Sequence, residues 1–486
     1  MFDKMNNAIS ASSATGTVEE VNPKPTPAAA AALSVPPPRL NAEQIAALQA
    51  VRERKNIFIS GPGGTGKSFL IRYMKEHAPA GIKVAVTALT GCAAILLDCG
   101  AKTLHSWAGI GLGRESAEEL VQKIQKRRKY NPIHYKNWTT TDILVIDEIS
   151  MMPAELFEKL NRIGRLLRKD AGRPFGGLQI VALGDFFQLP PIVKDLSGGD
   201  AATAAHLTFN APSWSDTFSE MVQLRQIMRQ TDPIFQELLN SFRQGEVRDD
   251  HVALLRSRMN LDWDGLEIKP TLIFPRRAEV DRINAANLAA LDGESYSYET
   301  KTEFKDTAPP GVIATAATPD GQQLIERFDN DAPYNTVETL AIGAQVMLIH
   351  NKDQDIGLVN GSRGVITKFI PSGSGTERIP VVLFKNGVET PIGRNLWEMD
   401  TLPGLCRSQI PLRLAYACTI HKSQGASLDC ALIDVGSSVW EYGQAYVALS
   451  RVRSLDGLYV FAFDKRAVKA HPVVRAYYQR LSSAKA

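Results

Sequence analysis

The sequence predicts an α/β protein built on doubly wound parallel sheets, with a β-rich insert late in the chain. Three observations carry that reading. A short apolar run, Ile57-Phe-Ile59, breaks into a glycine-rich turn and then into a helical pattern at Phe69-Leu-Ile71. Further apolar runs follow it, each trailed by a helix-period stretch, which is the pattern of strands joined by crossover helices. Between about residues 296 and 410 strand-like runs dominate instead, with hairpin signals at Asn360-Gly361 and Asn386-Gly387.

Composition bounds the setting. At 486 residues the chain is long enough for several domains. A net charge of +3 is close to balanced, and a local basic groove would suffice for nucleic acid. The five cysteines form no C-x-x-C pair and are odd in number, which points to reduced thiols and away from a zinc site. No apolar run is long enough to span a bilayer, and no secretory pattern opens the chain. The expectation is a soluble intracellular protein, in cytoplasm, nucleoid or nucleus according to the host, not secreted and not at a membrane.

In chain order, residues 1–39 are rich in Ala, Ser, Thr and Pro and read as a disordered tail. Order begins at Leu40. Asn41 and Gln44 have capping spacing for a helix carrying Ile45, Leu48 and Val51. Gln44 also has the donors and acceptor to recognise an adenine edge, and both readings stay open. Strands are expected at 84–88, 142–148 and 178–183, and an amphipathic helix at 155–169. A second alternating region has a helix at 232–242, a strand at 270–274 and a helix at 280–291. After the β-rich insert the alternation resumes at Leu412 and runs to about Phe463. The last stretch, from Lys465, reads as a closing helix with a solvated basic face.

The chemistry starts at residues 61–68, Gly-Pro-Gly-Gly-Thr-Gly-Lys-Ser, which fit the phosphate-binding loop G-x-x-x-x-G-K-[ST]. Gly61, Gly63, Gly64, Thr65 and Gly66 allow the backbone to turn its N–H groups inward, and the next helix adds its positive end. Lys67 is expected to reach the β- and γ-phosphates of ATP, and Ser68 to hold Mg²⁺. A flexible glycine turn is the plain alternative, but the strand-loop-helix context speaks for the motif. Asp147 and Glu148 end an apolar strand. Such a pair suits a Mg²⁺ ligand and a base that activates water. Gln188, in Gly184-Asp-Phe-Phe-Gln-Leu-Pro-Pro191, can sense the γ-phosphate, and Asp185 can hold a neighbouring cation or an arginine. Arg229 and Arg451 are candidates for γ-phosphate contact, since a planar guanidinium meets developing phosphoryl charge well. Surface ion pairing is the alternative for each.

Taken together the motifs resemble superfamily 1 helicases, and specifically the Pif-one (petite integration frequency) family of 5′→3′ DNA helicases. The matching strings include residues 61–68, 87–94, Thr103-Leu-His-Ser106, residues 144–151, 184–191 and 224–245. They continue through Leu358-Val-Asn-Gly-Ser-Arg-Gly364, Thr419-Ile-His-Lys-Ser-Gln-Gly425 and residues 446–453. Pro174-Phe-Gly-Gly-Leu-Gln179 looks like the piece that separates this family from its relatives.

The resemblance implies two RecA-like P-loop lobes and an SH3-like insert in the second. The first lobe would span 40–222, with a small wedge at about 113–138 carrying the basic run Lys126-Arg-Arg-Lys129. The second would span 223–295 and 411–486, around an insert at 296–410. By the same resemblance Lys67, Glu148, Gln188, Arg229 and Arg451 are catalytic, and Gln424 and Gly425 couple nucleotide to DNA. Thr90, His105, Asn360, Thr419 and His421 would contact DNA through groups suited to phosphates and sugars. The implied activity is ATP- and Mg²⁺-dependent translocation on single-stranded DNA and unwinding of forked DNA, 5′→3′. Its implied setting is repair, recombination and telomere upkeep, alongside replication or repair proteins. A helicase acting mainly on RNA, a RecD-type motor inside a nuclease complex, and a DNA-bound ATPase switch that does not unwind are the rival readings.

Overall fold

The computed structural model describes residues 40–191 and 204–483, apart from 112, 114, 130, 264–265, 267–268, 307, 354–355, 357, 359, 373–376 and 400–401. The tail expected over 1–39 lies outside the described residues. Residues 43–486 form one unit, separate from 1–42.

The early apolar runs become a parallel sheet. β1 (Ile57–Ser60), β2 (Val84–Ala88), β3 (Lys102–Thr103), β4 (Ile143–Asp147), β5 (Gln179–Gly184) and β6 (Glu220–Gln223) lie in the order β3-β2-β4-β5-β1-β6. β4 and β5 are buried along their whole length, which is why their sequences show no polar alternation. Ser60 pairs with Gly184 and Gln223, and Ala88 with Asp147. The phosphate loop, the acidic pair and the Gly184 turn therefore leave one edge of the sheet, the carboxyl ends of its strands.

Helices flank this sheet: α1 (Ala42–Arg52), α2 (Lys67–Glu76) and α3 (Ala154–Arg168) among them. α3 buries Phe157, Leu160, Ile163 and Leu167. Pro174-Phe-Gly-Gly177 is a short 3₁₀ turn packed on α3. A Cβ at Gly164 would lie 2.7 Å from the Phe175 carbonyl oxygen, so only glycine lets the turn sit there. Asn161 Oδ1 accepts the Phe175 N–H at 2.8 Å, and Phe175 itself has φ of 51°.

The segment expected as a wedge is partly core. Ser116 and Glu119 make a reciprocal capping box for the helix Ala117–Arg127, whose Leu120, Val121 and Ile124 join the first-lobe core. Trp138 is fully buried, and its Nε1 donates to the Ala108 carbonyl at 3.0 Å. The basic run 126–129 stays exposed.

A second parallel sheet has the order β8-β7-β9-β10, where β7 is Thr271–Phe274, β8 Ala417–Thr419, β9 Ala431–Val435 and β10 Leu458–Phe463. Its lobe also carries α4 (Pro233–Arg243) and α5 (Gln444–Leu449). Between β7 and β8 lies the β-rich insert, with antiparallel sheets of five, three and two strands. Tyr298, Val346, Leu348, Ile366, Val382 and Leu412 share its core.

Three readings need correction. The insert also holds two helices, Pro310–Ala316 and Pro319–Asp331. Leu412–Leu414 pairs antiparallel with Gln345–Leu348, so it belongs to the insert, and the second-lobe sheet resumes only at Ala417. Its leucines are drawn there because Leu412 packs in the insert core. Asn386-Gly387 turns a tight hairpin between Arg378–Phe384 and Glu389–Pro391, as expected. Asn360-Gly361 does not, because residues 349–362 join the paired strands Gln345–Leu348 and Arg363–Pro371. Gly361 has φ of 93°, and a Cβ there would lie 3.2 Å from the Ser427 carbonyl oxygen. That glycine serves a close approach to the second lobe.

The closing helix, α6 (Pro472–Ser483), is present with Arg480 exposed, and its aromatic side is buried. Val474 and Tyr478 join the first-lobe core, with Tyr477 packed against it. Tyr478 Oη lies 2.6 Å from Ser60 Oγ at the end of β1. Tyr477 stacks on Phe209 and Tyr478 on Phe187, with centroids 4.1 and 4.8 Å apart.

Candidate functional site

The phosphate loop follows β1. Gly64 and Gly66 have φ of 85° and 84°, and Gly66 precedes α2. Thr65 is fully buried and its hydroxyl donates to the Pro62 carbonyl at 2.9 Å, bracing the turn from inside. Gly61 has no room for a side chain, since a Cβ there would meet the Leu224 oxygen at 2.8 Å. Lys67 Nζ donates to the carbonyls of Gly61 and Pro62 at 2.7 and 2.9 Å. Burial pulls its pKa down, opposed by Asp185, Glu148 and Asp147. Ser68 is exposed in the first turn of α2. Gln44 is buried on α1, with its Nε2 2.9 Å from where a Cβ on Gly66 would stand.

Asp147 ends β4, buried, and its carboxyl is pushed up to about 7, first by burial and then by the neighbouring Glu148. Glu148 takes the left-handed backbone conformation, φ 53°, which turns it off the strand line. Its Oε2 accepts a hydrogen bond from Gln424 Nε2 of the second lobe at 3.2 Å. A buried carboxyl beside a second carboxylate, with a serine hydroxyl at the adjacent strand-to-helix turn, is a donor set that suits Mg²⁺.

The second lobe closes over this edge. A Cβ on Gly63 would stand 3.3 Å from Arg451 Nη2 and 3.7 Å from Arg229 Nη1, and one on Gly64 would stand 2.6 Å from Arg229 Cβ. The N–H groups of Met228 and Arg229 donate to the Gly64 carbonyl at 2.8 and 3.3 Å. Gly63 N–H donates to Tyr446 Oη at 2.8 Å. Arg229 is pulled down to about 9, by burial first and then by Arg451. Arg451 is also lowered by burial. Two desolvated guanidinium groups against a phosphate loop make a place for a polyanion.

Gln188 is buried in the turn after β5, and its N–H donates to the Asp185 carbonyl at 2.9 Å. A Cβ on Gly443 would lie 2.8 Å from the Gln188 carbonyl, so this turn also meets the second lobe. The arginine expected beside Asp185 is Arg243 of α4. Its Nε and Nη2 donate to the two carboxylate oxygens at 2.9 and 2.7 Å. Both side chains are buried, and the guanidinium lies 4.6 Å from the Phe187 ring centre.

The five residues expected on DNA sit in two groups. Thr90 and His105 follow β2 and β3 at the carboxyl edge of the first sheet. Thr90 Oγ1 accepts the Ala93 N–H at 3.2 Å, at the start of the helix Gly91–Leu96. Thr419 ends β8 and caps the turn Ile420–Ser423 through the Lys422 N–H at 3.2 Å. His421 is half-buried in that turn, and burial lowers its pKa. Asn360 is tied down by its Nδ2 bond to the Ile349 carbonyl at 2.9 Å. One close approach joins the groups, since a Cβ on Gly425 would stand 2.7 Å from Leu96, and another, Gly361 on Ser427, holds Asn360 within the second group.

Residues 39–252 match the model of PIF1-like helicases, and residues 324–369 match that of the DNA helicase Pif1 2B domain. The crystal structure of Pif1 helicase from Candida albicans is 34% identical, with a TM-score of 0.72 over 91% of this chain and 99% of that one. The chain belongs to the Pif1 family of helicases. ATP-dependent DNA helicase PIF1 of Danio rerio is 39% identical over 91% of this chain, which spans 64% of that relative's length. Pif1 of Bacteroides, solved with ADP-AlF3 and single-stranded DNA, is 27% identical with a TM-score of 0.61 over 92% of this chain and 98% of that one. The match to the Pif1 2B domain covers the end of the helix Pro319–Asp331 and the strands to Phe369.

Within this Pif1-family cleft, sequence reasoning missed Tyr446, Arg243, Tyr478 and the role of Gln230. Tyr446, Gln230 and Arg243 stood inside quoted motifs. Their signal was a place in the same stretch as Arg229 or Arg451, which says nothing of what their own side chains touch.

Proposed function

We propose that this chain is an ATP-dependent DNA helicase that moves 5′→3′ on single-stranded DNA and opens forked duplexes. One observation carries the reading: the second lobe places Arg229 and Arg451 on the phosphate loop and, through Gln424, touches Glu148. A single lobe closure thus completes both the phosphate contacts and the base. ATP phosphates replace the carbonyls of Gly61 and Pro62 as partners of Lys67. Ser68 and Asp147 would hold Mg²⁺, which would supply positive charge against the phosphates. Glu148 takes a proton from the attacking water, with its carboxylate oriented by the Gln424 amide. Arg229 and Arg451 meet the charge that develops on the transferred phosphoryl group.

Thr419 and His421 stand at one end of the short turn whose other end is Gln424. Contact with DNA and orientation of Glu148 therefore share one rigid piece. Cycles of lobe closure would move the Thr90–His105 group against the Asn360–Thr419–His421 group and step the chain along a strand. The 5′→3′ direction rests on family membership. So does the proposed intracellular setting in repair, recombination or telomere upkeep, with replication or repair proteins as partners. Among the described residues no helix is long and apolar enough to cross a membrane.

ATP-dependent unwinding of two partial duplexes, one with a 5′ tail and one with a 3′ tail, tests the reading. Unwinding of the 5′-tailed substrate alone is expected. Unwinding of the 3′-tailed one alone rejects the direction. DNA-stimulated ATPase with neither substrate opened turns the assignment to a switch.

A further inference from the structure

Gln230 follows Arg229 and is almost wholly buried, at 1% exposure. Its Nε2 donates to the carbonyls of Ser450 and Val452, at 3.2 and 2.7 Å. Those are the residues on either side of Arg451. Arg229 Nη1 also donates to the Ser450 carbonyl, at 3.0 Å. Arg451 then has little freedom left. Its Nε donates to the Val447 carbonyl at 2.8 Å, and its Nη2 to Ser450 Oγ at 2.7 Å. The Ser450 hydroxyl is itself turned by a bond to the Val447 carbonyl at 2.9 Å. The backbone around Arg451 is thus pinned from outside by the Gln230 amide, by Arg229 and by Leu428, whose N–H donates to the Arg451 carbonyl at 2.9 Å, and the side chain from inside by its own helix end.

The amide has one usable orientation. Flipped, it would set Oε1 against two carbonyl oxygens. In the orientation observed, Oε1 is buried without a hydrogen-bond partner among the described residues. It stands 3.4 Å from where a Cβ on Gly64 would be.

We infer that Gln230 is a positioning residue for ATP hydrolysis, holding the Arg451 backbone so that its guanidinium stands against the phosphate loop. The inference rests on the ATPase reading above. It assigns Gln230 no contact with nucleotide and no share in ADP binding. A displacement of about 1 Å at a catalytic group lowers the rate by about 100-fold, and loss of an arginine of this kind by about 1,000-fold or more.

The test is a double-mutant cycle in DNA-stimulated ATPase, comparing the unmodified chain with Gln230→Leu, Arg451→Ala and the two combined. Gln230→Leu is expected to lower kcat by about 30- to 100-fold while leaving KM for ATP and the affinity for fluorescent ADP within about twofold. In the Arg451→Ala background the same change is expected to have no further effect. Affinity for ADP with aluminium fluoride should fall in Gln230→Leu as it does in Arg451→Ala. If Gln230→Leu does not fold, the isosteric Gln230→Glu takes its place in the cycle. An unchanged kcat, or the same loss with and without Arg451, overturns the inference while leaving the ATPase intact. Absence of DNA-stimulated ATPase in the unmodified chain overturns instead the reading on which it rests.

Discussion

At Gly63 and Gly64 two missing side chains let Arg451 and Arg229 come against the phosphate loop. Adding a methyl at 63 would set a carbon 3.3 Å from Arg451 Nη2 and 3.5 Å from Ser450 Oγ. Gly63→Ala should therefore lower kcat by about 10- to 100-fold, with ADP affinity within about twofold, as read by steady-state ATPase and equilibrium binding. Lys67→Ala should abolish ATPase and leave single-strand binding in place. DNA-stimulated hydrolysis surviving in that variant would refute the role given to Lys67. These residues were legible because their chemistry is local. Eight consecutive positions make a phosphate loop wherever a strand precedes and a helix follows. Tyr446 and Arg243 were not legible as functional, because each acquires its role from a distant residue, Gly63 at 383 positions and Asp185 at 58.

Among the elements, the turn Pro174–Gly177 shows what a family-specific string can be for. It carries no polar group toward the cleft. It is shaped to lie over Gly164 of α3, with Arg168 Nε donating to the Gly176 carbonyl at 2.9 Å. Gly164→Ala would drive a methyl into the Phe175 backbone, so a loss of about 1–3 kcal/mol is expected in chemical denaturation, with residual folded protein keeping its ATPase. Periodicity found α3 and the strands on either side of it because their apolar faces are long. It did not find the helices Pro310–Ala316 and Pro319–Asp331, which are flanked by strand-like runs. A local signal was present at the second, where Thr318 Oγ1 caps the helix and Pro319 opens it. Asn360-Gly361 misled in the other direction. Its glycine has the positive φ of a tight turn, but the conformation serves an approach to Ser427 that no local pattern encodes.

Over the whole molecule, the two lobes are tied by the buried Asp185–Arg243 pair and by α6. Asp185→Asn leaves the buried Arg243 charge without its counter-ion, and the expected loss is about 3–5 kcal/mol of stability, measured by denaturant midpoint. A smaller loss, with ATPase unchanged, would show that the lobes do not depend on this pair. Tyr478→Ala should cost about 3–5 kcal/mol, since it empties a packed site between Phe187 and Ser60. The two-lobed plan itself was legible from alternation of strand and helix, but the fate of α6 was not. Its basic residues drew the reading to a solvated face, while the apolar rows Val474–Tyr478 and Val473–Tyr477–Leu481 on its other side are only two turns long and do not say what they pack against. That helix also bears on how the protein is made. Domains commonly fold in the order in which they leave the ribosome. Here Ser60 and Tyr478 are 418 positions apart and share one core. The lobe that is synthesised first must wait, with part of its apolar surface uncovered, until residues 418 positions further along have been made.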